Sequence, residues 1–276
     1  MSDCVGFLGA GNMASALAGG LLARGHVPSD LMLADPLPAV LAEHARRGCR
    51  TSSDNAELVQ QAQILVLAVK PQMLAAVLAP LAERLRERRP LIISIVAGAT
   101  IEGIAQLLGG GAWAIVRAMP NTPALVQSAA TGYYCSPQVS EAQRQQAQQI
   151  LSAVGLALCV EDEALIDAVT ALSGSGPAYF FLVMQAMQQA GMALGLDART
   201  ARSLTLQTAL GAAQMAVTAD VGVDELRRRV TSPGGTTEAA IAVLSSAGLV
   251  ESFDRALHAA QARAAELGRQ LQEAAR

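Results

Sequence analysis

A glycine-rich turn near the start of the chain lies between a short apolar run and a helical segment. The turn is Gly9–Ala14 (GAGNMA), and Val5–Leu8 before it has the composition of a buried strand. Gly9 allows a tight turn, Gly11 lets a ligand approach the backbone, and Ala14 lets the helix pack closely on the strand. The start of that helix offers unpaired N–H groups and a positive dipole end to phosphates. The pattern predicts a dinucleotide-binding βα unit.

The next apolar run ends in an acid. Asp35 follows Leu31–Ala34, and a carboxylate at this place accepts hydrogen bonds from the ribose 2′-OH of NAD and repels the 2′-phosphate of NADP. The alternative is that Asp35 and Pro36 form only a turn and a helix cap. No arginine follows directly, since Arg46 and Arg47 are placed on the next helix. The predicted cofactor is NADPH or NADH, and the acid favours NADH or dual use.

Apolar runs and periodic polar segments alternate through the first half. This alternation predicts an α/β fold of the Rossmann type, a doubly wound parallel sheet with helices on both faces. The predicted strands are Val5–Leu8, Leu31–Ala34, Ile64–Ala68, Leu91–Val96, Ala114–Arg117, Thr131–Cys135 and Leu156–Val160. The predicted helices lie near residues 12–23, 37–47, 72–88, 100–109 and 140–153.

From about residue 163 onward the pattern predicts helices alone. They are expected near 163–172, 177–195, 198–219, 223–230, 236–247 and 249–275, separated by Gly, Pro or Asp. We therefore predict a dinucleotide-binding domain, 1–162, and an all-α substrate-binding and dimerisation domain, 163–276. The helix Pro177–Leu194 is apolar almost all round and must be buried, and a helical half of this size has a small core. A homodimer at least is expected to form through this half.

Composition excludes several classes of function. A net charge of −3 with 3 Tyr, 4 Phe and 1 Trp argues against nucleic-acid binding, which needs clustered positive charge and stacking rings. The longest apolar stretch, Leu91–Ile101, is shorter than the roughly 18 residues of a membrane span, and Met1–Cys4 lacks the basic region of a signal peptide. The four cysteines form neither CxxC pairs nor a dense framework. We expect a reduced, cytoplasmic protein without a metal or a membrane.

Four further segments are expected where the strand ends and the helical half meet, a common place for ligands in α/β proteins. They are Ala68–Gln72 (AVKPQ), Arg117–Pro123 (RAMPNTP), Leu172–Tyr179 (LSGSGPAY) and Val230–Thr237 (VTSPGGTT). With the glycine loop, their order and spacing resemble the pyrroline-5-carboxylate reductase family, from Val5 to about Leu257. The SPGGTT and SGSGPAY segments are the specific part of the resemblance, because neither is a general feature of Rossmann folds.

The SPGGTT turn predicts a carboxylate site on physical grounds. It leads into a helix and combines backbone N–H groups with three hydroxyls at a positive helix end, whereas an ordinary cap needs only one hydroxyl. The Gly235 N–H is part of this predicted site, and the resemblance implies the same role, the substrate carboxylate being held by Ser232, Thr236 (mainly through its N–H) and Thr237. Thr237 is the predicted catalytic residue, expected to assist proton delivery to the substrate nitrogen.

Glu163 and Lys70 each have a structural alternative. The resemblance implies that Glu163 lines the substrate pocket near the imine nitrogen, and the alternative is an acid that stabilises a helix dipole.

Lys70 is predicted to end a strand before Pro71 and to reach the cofactor edge, and the alternative is a solvent-facing lysine. The family places Ala68–Pro71 along the nicotinamide ribose. The full set of predicted cofactor residues is Leu8, Gly9, Ala10, Gly11, Asn12, Met13, Asp35, Asn55 (adenosine end), Ala68, Val69, Lys70, Pro71 and Ala97 (nicotinamide side).

The resemblance implies NAD(P)H-dependent reduction of the cyclic imine 1-pyrroline-5-carboxylate at C5, which gives L-proline in the last step of proline biosynthesis. One alternative is a β-hydroxyacid-type dehydrogenase with two similar domains. Such enzymes use a lysine in the second half, and Lys70 is the only lysine of this chain. The other is a nonenzymatic NAD(P)-sensing protein, which should lack the carboxylate turn or add a basic DNA-binding helix. The sequence leaves open the cofactor preference, the proton donor, the range of imines and an assembly between dimer and decamer.

Overall fold

Eight strands form one sheet in the structure, a computed structural model that describes residues 3–274. They are β1 (Val5–Leu8), β2 (Leu31–Ala34), β3 (Arg50–Ser52), β4 (Ile64–Leu67), β5 (Leu91–Ser94), β6 (Ile115–Met119), β7 (Ala129–Cys135) and β8 (Gly155–Cys159). Their order is β3-β2-β1-β4-β5-β6-β7-β8, and only the β6–β7 pair is antiparallel. The strand order reverses between β1 and β4, which is the point at which such sheets bind ligands. The predicted Rossmann-type sheet is confirmed.

Both faces of the sheet are buried at β1, β2, β4 and β5, because successive side chains of these strands enter different cores. Phe7 of β1 packs in one apolar cluster with Leu17 of the following helix. The next residue, Leu8, belongs to a second cluster that includes Leu58. A strand covered on both sides needs a continuous apolar run, and this explains why β1, β2 and β4 contain hardly a polar residue.

Helices connect these strands, and most lie where the periodicity predicts them. They are α1 (Asn12–Ala23), α2 (Pro38–Arg46), α3 (Asn55–Gln61), α4 (Leu74–Leu78), α5 (Ala82–Arg88), α6 (Ile101–Leu107) and α7 (Glu141–Ser152). The single helix predicted over 72–88 is wrong. It is divided by a 3₁₀ turn at Ala79–Leu81 that contains Pro80, a residue without the N–H that a continuous helix needs.

Helices alone follow β8 within the described part of the chain. They are α8 (Leu165–Val169), a π-helical turn at Thr170–Gly174, α9 (Gly176–Ala193), α10 (Ala198–Thr218), α11 (Val223–Arg229), α12 (Thr236–Ser246) and α13 (Leu249–Ala274). The predicted all-α second half is confirmed. Glu163, predicted to open the first of these helices, lies instead in the turn before α8.

Packing divides the chain into two compact units. The first unit is Met1–Ser175 together with Ala259–Arg276, and the second unit is Gly176–His258. The boundary between 162 and 163, which follows the change of sequence pattern, stays a prediction.

The end of α13 packs on the loop after β5, inside the first unit. The Nε2 atom of Gln272 donates a hydrogen bond of 2.8 Å to Oγ1 of Thr100. Gly98 has a φ of +77°, and a Cβ built on it would lie 3.3 Å from the backbone nitrogen of Gly268. Both glycines therefore permit a close backbone approach that larger residues would prevent.

The helix α9 of the second unit exposes large apolar side chains. Phe180, Phe181 and Leu182 are 68%, 64% and 66% exposed, and of the whole helix only Gly176 is buried. The stretch Leu165–Ala193 is also long and apolar enough to cross a membrane, by length and composition alone. The sequence prediction, in which Leu91–Ile101 is the longest apolar stretch, missed this segment. A helix that another protein surface covers has the same composition.

Candidate functional site

The predicted cofactor residues of the first unit gather at one edge of the sheet. Leu8 is in register with Ala34 of β2 and Leu67 of β4, so the residues that follow these strands emerge side by side. The glycine loop, Asp35 and Ala68 are therefore neighbours, as the Gly9 N–H donating to Ala34 O (2.8 Å) and the Ala68 N–H donating to Leu8 O (2.9 Å) show. Asn55, the first residue of α3, follows β3, and Ala97 follows β5.

The glycine loop has the shape that a dinucleotide needs. Gly9 has a φ of +93°, and a Cβ there would lie 2.8 Å from Ala68 O, so only glycine fits. A Cβ on Gly11 would meet no described atom within 4 Å, which leaves this side of the loop open for a ligand. Gly11 is also the N-cap of α1, has no side chain to cap the helix, and is followed by a first turn without an acid. Asn12 and Met13 therefore present uncapped backbone N–H groups that fit a pyrophosphate.

Asp35 makes two backbone hydrogen bonds, both of 3.0 Å. Its Oδ2 accepts from the N–H of Ala10 in the glycine loop, and its Oδ1 accepts from the N–H of Leu37. The second bond is the local turn expected from the alternative interpretation. The first shows that Asp35 also holds the glycine loop. A carboxylate has about four acceptor positions, so capacity remains for a ribose hydroxyl.

Lys70 is exposed and lies beyond β4, which ends at Leu67, so the prediction that it ends a strand is wrong. It precedes a 3₁₀ turn, Pro71–Met73, that begins with Pro71. Proline suits the first position of such a turn, because it has no backbone N–H that would need a hydrogen-bond partner. The segment Ala68–Pro71 still leaves the sheet at the edge that carries the glycine loop.

A buried arginine organises Glu163. The Arg117 side chain on β6 is 6% exposed, and its Nη1 and Nη2 atoms lie 3.2 Å from Glu163 Oε1 and 2.8 Å from Asp167 Oδ1. Glu163 Oε1 also accepts a 2.8 Å hydrogen bond from the N–H of Ile101, at the start of α6. The structure thus brings Glu163 to the helix that follows the Ala97 loop. The sequence analysis predicted no role for Arg117. A usable signal was present, because Arg117 is a charged residue within an apolar strand, and two acids, Glu163 and Asp167, lie four residues apart further along the chain.

The SPGGTT turn lies in the second unit and leads into α12. Gly234 has a φ of +70°, the Gly235 N–H donates to Ser232 O (3.0 Å), and the Gly234 N–H donates to Glu238 Oε2 (2.7 Å). Gly235 is the N-cap and provides no side-chain cap, so the backbone N–H groups of Thr236 and Thr237 stay available. The turn is therefore built like an anion site, with Ser232 exposed beside it.

Within residues 3–274, no group of three His, Cys, Asp or Glu side chains is placed to hold a metal ion. All four cysteines, which lie in this range, carry free thiols. Burial raises the pKa of the Cys4, Cys49 and Cys135 thiols, that of Cys135 to about 11.

Sequence and structure comparisons agree with this architecture. Residues 163–267 match the family model "Pyrroline-5-carboxylate reductase dimerisation", and residues 4–98 match "NADP oxidoreductase coenzyme F420-dependent". A pyrroline-5-carboxylate reductase of Pseudomonas aeruginosa is 52% identical over 268 residues, covering 97% of each chain. One of Haemophilus influenzae is 40% identical, covering 95% of this chain and 97% of that one.

Two solved structures extend the comparison. A pyrroline-5-carboxylate reductase of Coxiella burnetii has a TM-score of 0.93 and 44% identity, covering 97% of this chain and 99% of that one. A pyrroline carboxylate reductase of Plasmodium falciparum with NADP bound has a TM-score of 0.84 and 29% identity, covering 97% of this chain and 98% of that one.

The fold, the glycine loop and these matches define an NAD(P)-dependent oxidoreductase with a Rossmann-type sheet and a helical second half. More narrowly, the chain belongs to the pyrroline-5-carboxylate reductase family. This membership replaces the hypotheses of a β-hydroxyacid-type dehydrogenase and of a nonenzymatic sensor.

Proposed function

We propose that this protein reduces 1-pyrroline-5-carboxylate to L-proline with NADPH or NADH, the last step of proline biosynthesis. The observation that carries the proposal is the presence of two uncapped helix starts in a chain of this family. One follows the glycine loop and suits a pyrophosphate, and the other follows the SPGGTT turn and suits a carboxylate.

The cofactor is assigned to the edge residues of the first unit. Gly9–Met13 would hold the pyrophosphate, Asp35 the adenosine ribose and Asn55 the adenosine end, while Ala68–Pro71 and Ala97 would lie along the nicotinamide side. When bound, the reduced nicotinamide supplies the hydride that adds to C5 of the imine. The protein contributes orientation, because a protonated imine is already a good electrophile and needs no strong general acid.

The substrate carboxylate is assigned to Ser232, Gly235, Thr236 and Thr237. The hydroxyl of Thr237 would also assist proton delivery to the substrate nitrogen. Glu163 is proposed to face that nitrogen, and its hydrogen bonds to Arg117 and to the Ile101 N–H would keep its carboxylate in one orientation. Part of the Glu163 side chain, 27%, remains exposed and accessible to a ligand.

The assembly proposed is a homodimer at least, formed through the helical half, with a decamer as the larger possibility. Its support is the matched dimerisation model over 163–267 and the exposed apolar side chains of α9, which a second copy would cover. The protein is further proposed to be cytoplasmic and to bind neither nucleic acid nor membranes. The net charge of −3 and the unclustered cysteines support this.

A direct assay tests the proposal. The purified protein is incubated with 1-pyrroline-5-carboxylate and either NADPH or NADH, and the loss of nicotinamide absorbance is followed together with the formation of proline. We expect oxidation of at least one cofactor that depends on the imine, with proline formed in equal amount. No oxidation with either cofactor would overturn the proposed activity.

A further inference from the structure

The glycine loop is held from its inner side by two residues to which no role has been assigned. Ser15 lies on the first turn of α1, and its Oγ is 3.1 Å from the backbone oxygen of Ala10. The same Oγ lies 2.9 Å from Nε2 of His44, which is on α2 and only 2% exposed. Two consecutive hydrogen bonds therefore connect α2 to the centre of the glycine loop.

The second ring nitrogen of His44 determines which groups donate and which accept in these two hydrogen bonds. Nδ1 is buried and has no hydrogen-bond partner among the described residues. A buried N–H without an acceptor is costly, so the proton of the neutral ring belongs on Nε2. Burial lowers the pKa of His44, with the Arg47 cation as a second cause, which keeps the ring neutral. Nε2–H then donates to Ser15 Oγ, and the hydroxyl donates its single proton to Ala10 O.

Ala10 is consequently fixed at both ends of its backbone. Its N–H donates to Asp35 Oδ2 at 3.0 Å, and its C=O accepts from Ser15. A free Ala10 peptide could rotate and turn its carbonyl oxygen toward the open side of the loop, where it would repel a phosphate. The hydrogen bond from Ser15 opposes this rotation and so keeps the Ala10 carbonyl oxygen from turning toward a bound phosphate.

We propose that Ser15 and His44 are positioning residues that fix the Ala10 carbonyl and so keep the glycine loop ready for the cofactor pyrophosphate. The inference rests on the proposed NAD(P)H binding. It concerns affinity for the cofactor, because neither residue is placed against the substrate or against the predicted nicotinamide side.

The test combines cofactor binding with the mobility of the loop. Dissociation constants for NADPH and NADH are measured by nicotinamide fluorescence, and hydrogen exchange of the amides in residues 9–15 is measured without cofactor. Ser15→Ala and His44→Leu should each raise the dissociation constant about 3- to 10-fold, as expected for one lost hydrogen bond, and speed loop exchange. His44→Gln, which keeps a donor near Nε2, should retain most of the affinity. The matched control is His26→Gln, at an exposed histidine of the same unit.

Coupling between the two residues is the second criterion. Because both act through one bond to Ala10, the double variant Ser15→Ala/His44→Leu should bind no more weakly than the weaker single variant. Unchanged cofactor affinity in both single variants, or fully additive losses, would overturn the inference even if the wild type binds NADPH. A wild type that binds neither cofactor would instead overturn the proposed function. Unchanged loop exchange in Ser15→Ala would then still refute the positioning role.

Discussion

The Nη2 atom of Arg117 donates a hydrogen bond of 2.8 Å to Oδ1 of Asp167, and Glu163 shares the same guanidinium. The Arg117 side chain is 6% exposed, and those of Glu163 and Asp167 are 27% and 20% exposed. One cation thus connects β6 to the start of α8. Its removal would leave two partly buried carboxylates without their counterion.

Arg117→Met should therefore lower the free energy of unfolding by about 2–4 kcal/mol, measured by urea denaturation. The matched control is Arg144→Met. Arg144 also pairs with an acid, Glu141, but those side chains are 42% and 75% exposed, so the loss should stay below about 1 kcal/mol. Equal losses of unfolding free energy in the two variants would show that the buried ion pairs of Arg117 stabilise the fold no more than an exposed pair does.

The two glycines of the loop should respond differently to alanine. Gly9→Ala forces a side chain into a positive φ and against Ala68 O, so it should lower the free energy of unfolding by more than about 1 kcal/mol. Gly11→Ala has room for its methyl group and should fold normally, but the methyl group occupies the ligand side of the loop. We expect its NADPH dissociation constant to rise at least about tenfold. Thermal unfolding and fluorescence titration of both variants separate these effects, and a Gly11→Ala variant with normal affinity contradicts the assignment.

Asp35→Ser should shift cofactor preference toward NADPH. Serine keeps a hydrogen-bonding group but removes the charge that repels a 2′-phosphate. We expect the ratio of kcat/KM for NADPH to that for NADH to rise about tenfold, or about 1.4 kcal/mol. Glu83→Gln, which removes one negative charge from an exposed position on α5, serves as the control and should leave the ratio unchanged. An unaltered ratio in Asp35→Ser would restrict Asp35 to its structural bonds with Ala10 and Leu37.

Thr237→Ala should impair the chemistry and substrate binding without affecting the cofactor. Its hydroxyl is proposed to contact the substrate, so kcat should fall and KM for the imine should rise, each by about 3- to 10-fold for a lost hydrogen bond. The NADPH dissociation constant should not change. Thr218→Ala, at an exposed threonine of the same unit, should behave like the wild type. Wild-type kinetics in Thr237→Ala would refute its catalytic assignment.

Cys159 should be the only thiol that reacts quickly with a disulfide reagent at pH 8. It is exposed to solvent, so a reagent can reach its sulfur, whereas the other three thiols are buried. Burial also raises the pKa of the Cys4, Cys49 and Cys135 thiols, which lowers their thiolate fraction at pH 8 below that of an ordinary cysteine. Cys159→Ser should abolish the fast phase of the absorbance change. A second fast thiol in the wild type would contradict this assignment.

Most strands that the sequence predicted correctly are buried, and β8, at a sheet edge, was also predicted although Leu156 and Leu158 are exposed. Phe7, Leu33 and Val66 lie in continuous apolar runs, and such runs identify strands that are covered on both faces. β3 was missed because Arg50-Thr-Ser52 is short, polar and half-buried at the sheet edge. The seven-residue α3 was missed as well, although Asp54, whose side chain accepts from the Ala56 N–H, is a usual N-cap signal.

Within the candidate site, the sequence could indicate local backbone geometry where a short motif determines it. The positive φ of Gly9 and the open space beside Gly11 agree with the roles that the motif predicts for these glycines. Contacts across the fold were not accessible in this way. The antiparallel direction of β7, the bonds from Arg117 to Glu163 and Asp167, and the Ser15–His44 contact all join segments that are distant in sequence. Periodicity gives no information about which distant segments meet.

The contact between Gln272 and Thr100 also constrains when the first unit can be completed. Its residues 259–274 are synthesised only after the whole of Gly176–His258 has been synthesised. Gln272 follows Thr100 by 172 residues, so at about 5–20 residues per second the loop after β5 waits roughly 9–34 s for its covering helix. During translation, the nascent first unit therefore exists with this loop uncovered, and chaperones or proteases would encounter that form before the finished protein.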